Sequence, residues 1–189
     1  MAIVESEGPE SEGVQSSLRI VAADAVMAET HLGGLVDLLR DGVAGGASIG
    51  WVRVPDRAEA EAWWAGIVGA VTTGACTLLL ALDGVRVVGT VQVHPSPKEN
   101  QRHRGDIAKL LVHSTTRGRG IGRALMAAAE AVARDQGLSL LTLDTRAGDP
   151  SEHLYRRLGW TVLGTIPGYA TGTTGAREAC IFFFKQIGP

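Results

Sequence analysis

Apolar positions along the chain recur at two spacings, and together they predict an alternation of strands and helices. Leu18-Arg19-Ile20-Val21 predicts a first strand. Leu32, Leu35, Val36 and Leu39 mark one face of a helix that ends near Gly42, and Gly45 to Trp51 is a loop of small residues. Pro55-Asp56 starts a second helix with Asp56 as its N-cap, and Ala58 to Val71 carries Trp63, Trp64 and Ile67. The adjacent tryptophans must face different directions, so one belongs to the core and the other is free to line a cleft. Thr77–Leu82 and Val85–Val93 read as strands joined at Asp83-Gly84, a type I′ hairpin signal. Pro95 to Arg104 is a polar loop, and Asp106 to Val112 is the next strand. Ile121, Leu125, Ala128 and Val132 define a helix that closes near Gly137. In the strand Leu140–Thr145, Thr142 and Asp144 share one face and Leu141 and Leu143 the other. Arg146–Pro150 is a turn, and Ser151 caps a short helix, Glu152 to Leu158. Val162–Ile166 and Ala179–Lys185 are the last strands, separated by the loop Pro167–Gly175. The order β-α-α-β-β-β-α-β-α-β-β makes this an α/β protein with a mixed sheet rather than a doubly wound one.

Composition narrows the picture. The 189 residues, 45% of them hydrophobic, suffice for one sizeable core, so residues 17–189 are expected to form a single domain. Residues 1–16 carry Glu5, Glu7, Glu10 and Glu12 among Ser, Gly and Pro and are expected to be a flexible acidic tail. A net charge of −2 argues for neither nucleic acid nor an anionic membrane as partner. Cys76 and Cys180 sit in apolar segments and are expected to be buried thiols, and no Cys/His cluster predicts a metal. Without an apolar run of membrane-spanning length or a secretory signal, a soluble cytoplasmic protein is expected.

The chemistry concentrates between Lys109 and Arg123. An apolar strand, Leu110-Leu111-Val112, runs through His113-Ser114-Thr115-Thr116 into Arg117-Gly118-Arg119-Gly120-Ile121-Gly122-Arg123, where a helix begins. Unpaired amides at a helix N-terminus, together with the helix dipole, make an anion site, and glycines let the anion reach the backbone. Arg117, Arg119 and Arg123 add positive charge, so the ligand predicted is a phosphate or pyrophosphate. A Walker A loop requires Gly-Lys-Ser/Thr, which Ile121-Gly122-Arg123 does not supply. A dinucleotide fingerprint requires a third glycine where Arg123 stands.

What fits is R-x-x-G-x-G, read as Arg117, Gly120 and Gly122 directly after a strand. This loop, the element order and Leu154-Tyr155-Arg156-Arg157-Leu158-Gly159-Trp160 together resemble the GNAT superfamily of acyl-CoA N-acyltransferases over roughly Leu18 to Ile187. The segments Gly45–Gly50, Leu143–Gly148 and Pro167–Ala170 are more narrowly similar to tabtoxin-resistance acetyltransferases, which act on a β-lactam amino acid toxin. The resemblance implies a GNAT-type mixed, mostly antiparallel sheet flanked by helices, with acetyl-CoA as co-substrate and no metal. It implies that the amides of Gly118, Arg119, Gly120, Ile121, Gly122 and Arg123 hold the pyrophosphate, with Arg117 also at the cofactor. The backbone of Leu110, Leu111 and Val112 would hold pantetheine, with the Leu110 N–H polarising the thioester carbonyl. Such preorganised donors are typically worth about 2.7–4 kcal/mol. Tyr155 matches the position that meets the cofactor sulfur and protonates the leaving thiolate.

An amine acceptor arrives largely as ammonium, so a carboxylate or a water it holds must remove a proton. Asp144, inside an apolar strand where an unpartnered carboxylate is costly, and Asp106, at a strand start, are the candidates. His113, at the strand's exit, is read as structural or cofactor-proximal. The resulting expectation is direct transfer of an acetyl group to the amine of a small molecule (amino acid, antibiotic or toxin-like), by a monomer or homodimer. A protein or peptide N-acetyltransferase and a non-catalytic acyl-CoA-binding regulator stand as alternatives.

Overall fold

The structure, a computed structural model, describes residues 18–47 and 49–188. The acidic segment 1–16 and Ser48 of the small-residue loop lie outside the described residues. Seven strands form one sheet in the order β1-β2-β3-β4-β5-β7-β6. They are β1 (Leu18–Ala23), β2 (Thr77–Asp83), β3 (Arg86–Pro95), β4 (Arg104–Val112), β5 (Leu140–Arg146), β6 (Thr161–Thr171) and β7 (Arg177–Gln186). Every neighbouring pair is antiparallel except β4 and β5, which run parallel. The mixed, mostly antiparallel sheet predicted from the chain is therefore the one observed.

Helices cover both faces. The N-terminal helical segment is broken at His31 into α1 (Ala25–Thr30), capped by Asp24, and α2 (Leu32–Ala44), so the order gains one short helix. With α3 (Arg57–Thr72) these helices bury Leu35, Leu38, Leu39 and Trp64 against Leu78, Leu80 and Leu111. On the opposite face α4 (Ile121–Asp135) places Ile121, Leu125 and Met126 over Val88, Val91, Leu141 and Phe183. There α5 (Pro150–Arg157) adds Tyr155. Cys76 and Cys180 are buried free thiols, and burial pushes Cys76 up to about 12. Among the described residues no helix is long and apolar enough to cross a membrane.

Asp56 caps α3 as predicted, in a full capping box. Its carboxylate accepts the Glu59 N–H at 2.8 Å, while Glu59 accepts the Asp56 N–H at 2.9 Å. Asp56→Ala is expected to cost about 1 kcal/mol and to lower Tm by about 2–4 °C, measurable by calorimetry.

Three local expectations are corrected. The β2–β3 turn centres on Gly84-Val85, with Asp83 paired to Arg86. Only Gly84 (φ 63°) is left-handed, which is the II′ pattern rather than I′. Pro167 to Thr171 continue β6 rather than forming a loop, because β6 is an edge strand where a missing N–H breaks no ladder bond. The short fifth helix starts at Pro150 with Asp149 as its N-cap. The Asp149 carboxylate accepts from the Ser151 N–H (3.0 Å) and Oγ (2.8 Å), so Ser151 lies inside the first turn.

Candidate functional site

One residue reshapes the centre of the sheet. Lys109, in β4, is the only described non-glycine residue with a positive φ, at 54°. On β3 the register passes from Gln92 to Thr90, while on β4 it passes from Ala108 to Leu111, so β4 carries one extra residue. This is a β-bulge, which bends a strand and breaks its pairing. On the other side, β4 and β5 pair only from Arg104↔Leu140 to Asp106↔Thr142. Beyond Asp106 the two strands part, and the gap between them is the site.

The bulge also sets which amides face that gap. The His113 N–H donates to Val88 O at 2.9 Å, and Leu111 is paired with Thr90. Backbone direction alternates along a strand, so Leu110 and Val112 turn their polar groups away from β3, toward the gap. Leu111 lines the gap but spends its backbone on the β3 ladder. Val112 O already accepts from Arg117 Nε at 3.2 Å, which leaves its second lone pair and its N–H for a ligand.

The gap opens into a cavity of about 690 Å³ whose walls include Leu110, Val112, Gly118, Gly120, Ile121, Gly122 and Arg123. Gly120 is the N-cap of α4 in left-handed conformation (φ 78°) and has no side chain with which to cap the helix. Gly118 is left-handed as well, at 78°. The first α4 amides are therefore presented to the cavity at the positive end of a 15-residue helix. The loop is braced from behind: Asp41 of α2 accepts from the Ser114 N–H (2.8 Å) and Oγ (2.7 Å). Burial raises the Asp41 pKa, but these bonds and the nearby His113 and Arg117 outweigh it and hold the carboxyl below its usual range. His113 caps the turn Ser114–Thr116, accepting from the Thr115 N–H at 3.3 Å, which is a structural role. Arg119 ion-pairs with Asp83 at 3.4 Å.

A second cavity of about 150 Å³ shares Ala47, Leu110, Asp149 and Ser151 with the first, and Lys109, Asp144 and Tyr155 also line it. Tyr155 is buried against Trp160 and Phe183. Burial first, then the negative charges of Asp149 and Asp144, push its phenol above the usual range, so it keeps its proton at neutral pH. Asp144 is accessible from the cavity, and burial is the main cause that raises its pKa. Lys109 works against that rise and Asp106 adds to it. Among the described residues no cation lies within ion-pair distance of Asp144.

Asp106, the other carboxylate candidate, sits below the point where the strands part. It ion-pairs with Arg104 at 3.3 Å, accepts from the Thr142 hydroxyl, and lines neither cavity. Of the two tryptophans, Trp64 is the core residue, with its indole N–H on Leu35 O at 3.0 Å. Trp63 is half-buried beneath the Lys109 ammonium, 6.0 Å from the ring centroid.

The sequence reading did not single out Lys109, Asp149 or Ser151 as part of the site. A charged residue ahead of Leu-Leu-Val was a visible signal for Lys109. The cap pattern Asp-Pro-Ser was one for the other two. Among the described residues no group of three or more His, Cys, Asp or Glu is placed to hold a metal ion.

An anion cradle at the N-terminus of α4, opening into a gap between two splayed strands, makes this the candidate cofactor site. Comparison with known proteins agrees: the acetyltransferase (GNAT) family pattern matches residues 49–160. The chain belongs to that family. It is 32% identical over 114 residues to an uncharacterized N-acetyltransferase from the hisH-hisA intergenic region of Azospirillum brasilense, a match spanning 59% of this chain and 66% of that relative. The structure is similar to a ribosomal-protein-alanine N-acetyltransferase from Brucella melitensis, with a TM-score of 0.75 and 26% identity over 89% of this chain and 99% of that one. It also shares the fold of a phosphinothricin acetyltransferase from Sinorhizobium meliloti in complex with acetyl-CoA, with a TM-score of 0.73, 19% identity and coverage of 91% and 89%.

Proposed function

We propose that this protein transfers the acetyl group of acetyl-CoA to the amine of a small molecule, by direct attack within a ternary complex. The observation that carries this reading is the meeting of the two cavities at Leu110. The larger lies under the uncapped start of α4, and the smaller contains a carboxylate and a phenol.

In this reading the amides of Gly118 to Arg123 hold the pyrophosphate, and Arg123 adds charge at its edge. Val112 offers its N–H and a lone pair to pantetheine. Bound acetyl-CoA supplies an activated thioester. The Leu110 N–H points to where negative charge grows on the carbonyl oxygen. Asp144, or a water it holds, takes the proton of the acceptor ammonium. Tyr155 donates its O–H to the departing sulfur. Its phenol is a weaker acid than a thiol, so its part is to hydrogen-bond the thiolate until the ammonium's proton completes the exchange. Asp106, bound to Arg104 and Thr142, acts through the charge it places near Asp144. The likeness of three short segments to tabtoxin-resistance acetyltransferases supports a small, amino acid-like acceptor. The Brucella relative supports a peptide amino terminus as the second reading.

Thermal unfolding with acetyl-CoA, CoA, NADH and ATP tests the cradle. Stabilisation by about 2.7 kcal/mol is expected at 100 times Kd, for acetyl-CoA and CoA selectively. A response only to NADH or ATP contradicts the assignment. Thiol release across small amines and peptides then separates the two readings, and tight binding without any turnover would indicate a regulator instead.

Gly120→Val is expected to weaken acetyl-CoA binding about tenfold or more. A β-branched residue pays about 1–2 kcal/mol in the left-handed region, and relieving that strain turns the α4 amides away. Isothermal titration of the folded variant reads the effect.

A further inference from the structure

Besides Asp149, which ion-pairs with Arg146, the smaller cavity holds a cation and an anion that do not pair with each other. Lys109 and Asp144 both line it and feel each other's charge, yet they stand beyond ion-pair distance. The arrangement is imposed by the fold. The left-handed bulge takes Lys109 out of register with β3 and leaves it lining the cavity. Its Nζ then donates to Ile49 O at 2.8 Å in the loop between α2 and α3, with the Trp63 ring below at 6.0 Å. An ammonium has three donors, and among the described residues only one is used. Asp144 has no ion pair among the described residues. Lys109 is half-buried and Asp144 is open to the cavity, so both charges are within reach of a ligand there.

We infer that this cavity takes a small zwitterion: Lys109 receives a carboxylate on the acceptor while Asp144 meets the acceptor's ammonium, so the preferred substrate is a free α-amino acid or a close analogue. The proposal rests on the acetyltransfer reading and deepens it. The size agrees, since about 150 Å³ is the liquid volume of about five waters. That is room for an amino acid's head group, with its side chain leaving through the opening. Lys109 is then a specificity-determining residue, through its ion pair with the acceptor's carboxylate. A peptide amino terminus presents a carbonyl at the position where a free amino acid presents its carboxylate, so the same pair of charges selects against peptides.

The test uses the full chain and three matched acceptor sets: L-amino acids, their carboxamides and the corresponding decarboxylated amines. For the native protein, kcat/KM from thiol release is expected to favour the amino acids by roughly 10- to 100-fold, the usual worth of a hydrogen bond to a charged group. In Lys109→Met the preference disappears through a higher KM for amino acids, while the carboxamides and amines keep their mutual ranking. Lys109→Arg retains part of it. Since Lys109→Met also removes a charge acting on Asp144, the ratio between acceptor sets is the readout, because that influence is common to all three.

A readout independent of turnover is thermal stabilisation of the CoA-loaded protein by amino acids but not by their amides. Equal turnover of amides, amines or short peptides by the native protein overturns the proposal and leaves acetyltransfer intact. So does a Lys109→Met variant that loses activity on every acceptor in the same proportion. Absence of thiol release with all acceptors and of any response to CoA overturns the acetyltransfer reading itself.

Discussion

Asp144→Asn is expected to lower kcat/KM by about 10²-fold or more while leaving acetyl-CoA affinity unchanged and raising Tm modestly. The opposite signs are the point. Asparagine has the size of aspartate but cannot take a proton from an ammonium, so the catalytic step suffers. The Asp144 carboxyl titrates above its usual range, because burial and the Asp106 charge outweigh the help from Lys109. A carboxyl whose pKa is higher folded than unfolded favours the fold below its unfolded pKa. That contribution is lost as pH rises through the folded pKa. At neutral pH the ionised group is therefore a burden that asparagine removes. A purely structural carboxylate would behave differently, with activity kept or stability lost on substitution. The same shift places the acidic limb of the kcat/KM profile above the ordinary carboxylate range, and the limb is expected to vanish in the variant. Steady-state profiles with differential scanning calorimetry read all three effects.

Tyr155→Phe is the second large expectation: a fall of about 10²-fold in kcat, with KM for acetyl-CoA and Tm little changed. The ring packs against Trp160 and Phe183 and persists in phenylalanine. The hydroxyl alone is lost, from a residue that lines the cavity together with Asp144 and Leu110. Because burial holds the phenol above its usual range, Tyr155 remains a donor at any neutral pH. Loss of the native protein's activity should therefore not follow tyrosine titration on the alkaline side. If kcat were unchanged in the variant, the departing thiolate would not depend on a hydrogen bond from Tyr155.

What could be read from the chain, and what could not, divides along physical lines. The glycine-rich turn into α4 was legible because only glycine suits its left-handed positions, and Gly118 and Gly120 stand there at 78°. Asp56 was legible as a cap because cap chemistry is local. The faces of β5 followed from alternation: Leu141 and Leu143 are buried and Asp144 is accessible. The bulge at Lys109 was not legible, since it arises from pairing with β3 and from the parting of β5, which no local pattern encodes. The roles of Asp149 and Ser151 were misassigned by two residues because either can cap. Pro150 at the first helical position decides for Asp149. Asp106, at a strand start, stood beside Asp144 as a candidate in the chain. Only the register with Thr142 and the ion pair with Arg104 separate them.

The central claim is direct transfer across the gap between β4 and β5, from acetyl-CoA under α4 to an acceptor beside Asp144. Initial velocities of thiol release, with acetyl-CoA and an amine both varied, test it most directly. Intersecting double-reciprocal lines, with no acetylated protein detected by intact mass, are the predicted result. Parallel lines with an acetyl group covalently retained on the protein would contradict it.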